Sequence, residues 1–115
     1  MSIQLFHYPL SEAQIEAINA AAIEALKGVY DPEIPVNIYD LGLIYGIDIT
    51  PAGSLHVRMT LTAAACPFAQ TLPGIVEAAV SNIPGIIECS VELVWDPPWS
   101  QAHISEAARL QLGLV

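Results

Sequence analysis

The chain has 115 residues, is 54% apolar and only 13% charged, and sets 12 acidic residues against 3 basic ones for a net charge near −9. A length of one domain buries enough side chains to fold without metal or disulfide staples, and the negative field repels phosphate backbones and anionic lipid headgroups, which argues against nucleic acid and membrane surfaces as partners. So little charge leaves much of the surface neutral or apolar, and a homo-oligomer or a docking face is expected.

A single domain over residues 1–115 is expected, with no repeat, linker or low-complexity tract. Met1-Ser2-Ile3-Gln4-Leu5-Phe6-His7 lacks the basic stretch, apolar core and cleavage site of a signal peptide. No apolar run approaches the ~18 residues of a spanning helix, so a cytoplasmic location is expected. Cys66 and Cys89, separated by 22 residues, make no disulfide framework and are expected to be reduced thiols.

Ser11-Glu12-Ala13-Gln14 has the form of a capping box, and Ile15, Ile18, Ala22, Leu26 and Val29 follow at helical spacing, which predicts a helix from Glu12 to Gly28. Asp31-Pro32-Glu33-Ile34-Pro35 cannot continue it, because each proline lacks a backbone donor and disfavours helix in the residue before it. From Leu43 to Ile49, the residues Leu43, Tyr45, Ile47 and Ile49 alternate with Ile44, Gly46 and Asp48 as a half-buried strand. After a turn at Pro51-Ala52-Gly53-Ser54, Leu55, Val57, Met59 and Leu61 take one face of a second strand and His56, Arg58, Thr60 and Thr62 the other, completing a hairpin.

Cys66-Pro67 reads as a helix entrance, and the helix is expected to run to Asn82 with a kink or restart at Pro73-Gly74. Ile83-Pro84-Gly85 ends it. Ile87, Cys89, Val91, Leu93 and Trp95 then alternate with Glu88, Ser90 and Glu92 as a third strand, followed by a stiff loop at Trp95-Asp96-Pro97-Pro98-Trp99. Ser105 caps a last helix through Leu112, with Gly113 as its stop. The order α-β-β-α-β-α predicts a two-layer α/β (α+β) fold, a small mixed three-stranded sheet covered by helices.

Cys66 lies where a strand's exit becomes a helix start, and free amides and the helix dipole there stabilise a thiolate. Placement alone leaves two readings open, a working thiol and a small buried hydrophobe. Cys89 shares the core face of its strand with Ile87 and Val91 and reads as structural. Asp31 and Glu33 flank a proline; they suit orienting a thiol's partner, binding a metal or acid–base work, and equally suit plain turn formation. Asp40 reads as a turn former, while the hydroxyls of Thr60 and Thr62 are placed to line a pocket beside Cys66 or serve as ordinary strand residues. His7, His56 and His103 have no metal-site spacing, and there is no C-x-x-C, H-E-x-x-H or glycine-rich phosphate loop.

Asp31-Pro32-Glu33-Ile34-Pro35, Asn37-Ile38-Tyr39-Asp40-Leu41-Gly42-Leu43-Ile44-Tyr45 and Thr60-Leu61-Thr62-Ala63-Ala64-Ala65-Cys66-Pro67 strongly resemble the MIP18-like family, also called domain of unknown function 59. That family includes the phenylacetate-degradation protein D and the SUF-associated protein T. The likeness continues through Ile83-Pro84-Gly85, Trp95-Asp96-Pro97-Pro98-Trp99, Ser105-Glu106-Ala107-Ala108-Arg109 and Leu112-Gly113, while Pro73-Gly74 falls where relatives continue a helix. The resemblance implies the fold of the C-terminal domain of NifU-type scaffolds and a role in iron–sulfur cluster assembly, as an accessory factor rather than an enzyme. It implies that Cys66 is the reactive cysteine and metal ligand, with Asp31, Glu33, Thr60 and Thr62 gathered around it.

A cluster takes about four cysteine ligands, so Cys66 alone holds none permanently. The expected cofactor is a transient cluster or iron shared with a carrier, scaffold or client protein. The rival readings are a metal-free adaptor bridging carrier and client, and a thiol-dependent enzyme using Asp31 or Glu33 as a base.

Overall fold

The computed structural model describes residues 9–30, 35–62 and 71–113. The first helix, α1, spans Glu12–Leu26 and opens with the predicted capping box: the Ser11 hydroxyl accepts the Gln14 N–H at 3.2 Å, and the Gln14 side-chain oxygen accepts the Ser11 N–H at 2.8 Å. Ile18, Ala22 and Leu26, spaced four apart, form its buried stripe. The helix stops two residues short of the predicted Gly28, because the amides of Gly28 and Val29 turn to carbonyls three residues back and tighten the last turn.

Tyr30 and Asn37 form an isolated antiparallel bridge, and the Ile38 N–H donates to the Val29 carbonyl at 2.8 Å, so the two stems of the loop are held together. Residues 31–34 between them lie outside the described residues. Asn37 then orders the next turn: its side-chain oxygen accepts the Asp40 N–H and its amide donates to the Asp40 carboxylate, each at 2.8 Å. Asp40 is thus a turn residue, as its setting before Leu41-Gly42 predicts. Val36, Ile38, Leu41 and Leu43 are all buried, so this irregular stretch supplies core as a helix or strand would.

Strand β1 (Ile44–Ile49) pairs antiparallel with β2 (Ser54–Met59), and β2 pairs in parallel with β3 (Glu88–Leu93), giving a mixed sheet of order β1-β2-β3. The β1–β2 register shifts between Ile44 and Gly46. This bulge corrects the predicted alternation. Ile44, Ile47 and Ile49 stand opposite Met59, Val57 and Leu55 and pack on the core, whereas Tyr45, expected beside Ile47, is the extra residue and takes no part in the core. On β3, Cys89, Val91 and Leu93 pack against the core as their alternation predicts, whereas Ile87 and Trp95, expected on the same face, lie beyond the strand's ends and are exposed.

Helix α2 (Leu72–Val80) connects β2 to β3. Pro73 lies in its first turn, where the missing N–H breaks no helical bond, so of the kink or restart expected at Pro73-Gly74 the structure has a helix start there and no kink within α2. The expected entrance at Cys66-Pro67 lies outside the described residues. Leu72, Val76 and Val80 face the sheet beside the α1 stripe, so α1 and α2 cover one face.

After β3 the chain returns across the end of the sheet through a short 3-10 turn, Gln101–His103, into α3 (Glu106–Leu112). Ser105 caps α3 by accepting the Ala108 N–H, and Gly113 ends it at φ +75°. Helix α3 docks elsewhere than α1 and α2: the Ser105 N–H donates to the Asp40 carbonyl at 2.8 Å and the Gln111 amide to the Pro35 carbonyl at 3.0 Å. The predicted α+β class, element order and mixed three-stranded sheet are those observed.

Gly42 is the tightest joint between the turn and the returning chain. Its φ is +85°, and a Cβ there would overlap the His103 backbone. Gly42→Ala is expected to destabilise the fold by ~1–3 kcal/mol, through strain and forced separation together, read as a lowered urea midpoint at unchanged slope.

Candidate functional site

Of the five site residues expected from sequence, Asp31, Glu33 and Cys66 lie outside the described residues, and Thr60 and Thr62 lie within them. The two threonines part company. Thr62 is exposed, whereas Thr60 is 0% exposed and its hydroxyl has no hydrogen-bond partner among the described residues. Strand parity puts Thr60 on the face of His56 and Arg58, which sequence alternation leaves open to solvent. After β3, which ends at one edge of the sheet, the chain returns to the other.

That return is tied down at three points. The Tyr45 hydroxyl donates to the Pro97 carbonyl at 2.8 Å, the Trp99 indole N–H to the Leu41 carbonyl at 2.8 Å, and the Ser105 amide to Asp40. Beneath it, the Thr60 N–H donates to the Leu43 carbonyl and the Val94 N–H to the Met59 carbonyl, each at 2.8 Å, so the backbone on either side of Thr60 is held although its hydroxyl is not. A buried hydroxyl without a partner costs about 1–3 kcal/mol.

Beside this crossing lies an open groove of about 600 Å³, lined by Tyr39, Ile44, Tyr45, Arg58, Asp96 and His103 among others. Tyr45 and His103 stack with ring centroids 5.4 Å apart and planes at 24°. The Arg58 guanidinium lies against Gly46, where any Cβ would overlap it, and bonds the Asp48 carboxylate at 3.2 Å. Sequence reading missed this groove, since its residues come from β1, β2 and the returning loop and share no spacing. The only advance signals are Arg58, one of the chain's 3 basic residues, and the proline pair after Asp96.

The rest of the open face is a polar ladder: Ser54 donates to Glu88 at 3.0 Å, and the two ring nitrogens of His56 bond Ser90 at 2.7 Å and Glu92 at 2.9 Å. Among the described residues no group of three or more His, Cys, Asp or Glu side chains is placed to hold a metal ion, and no helix is long and apolar enough to cross a membrane. Cys89 is a free, half-buried thiol facing the core, and burial, with the Glu77 carboxylate second, pushes its pKa up.

A family model described as "Iron-sulfur cluster assembly protein" matches residues 19–93. An Fe-S protein maturation auxiliary factor from Porphyromonas gingivalis is 43% identical over 93 residues, covering 81% of this chain and 89% of that protein. The Fe-S protein maturation auxiliary factor YitW of Bacillus subtilis is 37% identical over 99 residues, covering 86% and 97%. A domain of unknown function DUF59 from Bacillus anthracis has the same fold, with a TM-score of 0.79 at 35% identity over 87% of this chain and 95% of that one.

Two outcomes follow from this geometry. Thr60→Val removes the unpartnered hydroxyl at nearly constant volume and is expected to raise stability by about 1 kcal/mol in urea unfolding. In a Cys66→Ser protein, iodoacetamide at pH 8 is expected to alkylate Cys89 at least roughly tenfold more slowly in the folded than in the unfolded chain, because burial and Glu77 favour the protonated thiol.

Proposed function

The chain belongs to the iron–sulfur cluster assembly protein family, and from that premise we propose that it is a maturation factor that transiently holds iron or a cluster through Cys66 and passes it to client proteins. The observation that carries this reading is an elimination between two thiols. The chain has 2 cysteines, and Cys89 is committed to the core with its thiolate disfavoured. The family match spans the segment that contains the other, Cys66.

Thiolates are the ligands that iron–sulfur clusters take, about four to a cluster. One thiolate per protomer therefore leaves most of the coordination to be completed by a second copy, a scaffold or the client. Incomplete coordination suits a carrier, because the cargo leaves when a better ligand set is offered. Asp31 and Glu33 are proposed to lie in the same site as Cys66, with Thr60 and Thr62 at the strand exit that leads to it. The names of relatives support the same role: besides the maturation factors, an iron-sulfur cluster carrier protein of Mycobacterium tuberculosis is 41% identical over 76 residues, which make up 20% of that protein.

Anaerobic reconstitution with iron and sulfide, read by absorbance and iron content, tests the proposal. A labile chromophore at substoichiometric loading is expected in the wild type and none in Cys66→Ser. In cells lacking the native protein, Cys66→Ala is expected to leave client iron–sulfur enzymes inactive; full restoration by that variant would sink the carrier reading and leave a metal-free adaptor.

A further inference from the structure

The two edges of the sheet are built differently. On β1 the bulge at Tyr45 interrupts the edge and gives it a local twist, one of the devices by which proteins blunt a strand against further pairing. On β3 no such device is present: the register with β2 is unbroken from Glu88 to Leu93, with no proline, lysine or glycine in the strand. Among the described residues β2 is the only strand paired with β3.

The bonds at its two ends show which way its backbone faces. The Val94 amide donates to the Met59 carbonyl at 2.8 Å, on the β2 side, while at the other end the amides of Ile87 and Glu88 share the Gly53 carbonyl, at 2.9 and 3.4 Å. By the two-residue repeat of a strand, the N–H and C=O groups of Cys89, Val91 and Leu93 point outward. Just beyond the ends of this row stand two of the chain's exposed large apolar residues, Ile87 at 72% and Trp95 at 46%.

We propose that the outer edge of β3 is a docking site for an extended segment of a partner protein in which basic and apolar residues alternate, added to the sheet as a fourth strand. The main-chain groups of Cys89, Val91 and Leu93 supply the ladder, and Ile87 and Trp95 give apolar contact at its ends. Charge selects the occupant. Glu88 and Glu92 line the open face of β3, Glu88 bonded to Ser54 and Glu92 to His56, so that face of the edge carries two carboxylates. Lysine or arginine on the added strand finds a counter-charge, whereas an acidic segment is repelled. A second copy suits the edge poorly, since antiparallel self-pairing puts the Glu88 and Glu92 carboxylates of both copies on one face of the joined sheet.

The inference does not rest on Cys66, and its test is independent of metal. The probe is a fluorescein-labelled acetyl-Lys-Val-Lys-Val-Lys-Val-amide, titrated with full-length protein at low salt and followed by anisotropy, with amide exchange read by NMR. Saturable binding is expected, with slowed exchange at the Cys89, Val91 and Leu93 amides and at least tenfold weaker binding of the Glu-Val counterpart. Val91→Pro removes an outward N–H that the native sheet does not use, so its fold is expected to survive and its binding to fall at least tenfold. Glu92→Lys is expected to weaken binding without altering the edge backbone. Absence of saturable binding, equal binding by the acidic peptide, or protection at amides other than those of β3 would overturn the proposal, as would a dimer that is lost in Val91→Pro.

Discussion

The end of β2 is the point on which the rest of the molecule depends. A three-stranded sheet with helices on one face has no natural cover for the end of its middle strand, and here that cover comes from the chain returning from β3 toward β1. Three hydrogen bonds hold the return, from Tyr45 to Pro97, Trp99 to Leu41 and Ser105 to Asp40. Each joins residues more than fifty positions apart, so the return is held by long-range ties to residues 40–45. Gly42 lets the two backbones meet, and no residue with a side chain fits there without displacing His103.

This crossing explains why the neighbourhood of Thr60 is buried and polar at once. The three hydrogen bonds of the crossing all end on backbone carbonyls, and the Thr60 hydroxyl is left without a partner among the described residues. A methyl group in the same shape would avoid that cost. Thr60 lies six residues before Cys66 in the sequence, so its hydroxyl stands near the start of the segment on which the proposed function rests.

Much of the fold is legible in the sequence because it rests on local rules. The capping box at Ser11, the Ser105 cap, the Gly113 stop and the period-two patterns of β2 and of Cys89, Val91 and Leu93 in β3 depend on neighbours within a few positions, and the structure reproduces them, while Ile87 and Trp95 at the ends of the β3 pattern are exposed. What escapes is what depends on distant partners. Strict alternation through Tyr45 assigns it to the core, and only pairing with β2 reveals the bulge that turns it toward His103 and Pro97. The burial of Val36, Ile38, Leu41 and Leu43 has no period to announce it, since an irregular turn buries residues by where it docks. Pro73-Gly74 reads as a kink or a restart, and the start of α2 at Leu72, with Pro73 in its first turn, decides between them. For the site itself, the sequence motifs and the family match bear on Cys66, Asp31 and Glu33, while the geometry reaches Thr60 and Thr62.

The parallel pairing of β2 and β3 links the proposed docking edge to the proposed thiol. Parallel strands finish at the same end of a sheet, and here Met59 stands opposite Leu93. The chain leaves β2 at that end for the segment holding Cys66, and the outer edge of β3 finishes there too, beside Trp95. A strand added to β3 lies two strand spacings, about 10 Å, from β2, so one of its ends is brought to the side of the sheet from which that segment departs. The fold thus allows one partner to be gripped along an edge by its main chain while the residues beyond the grip stay free to offer ligands, and gripping and receiving need not compete for the same groups.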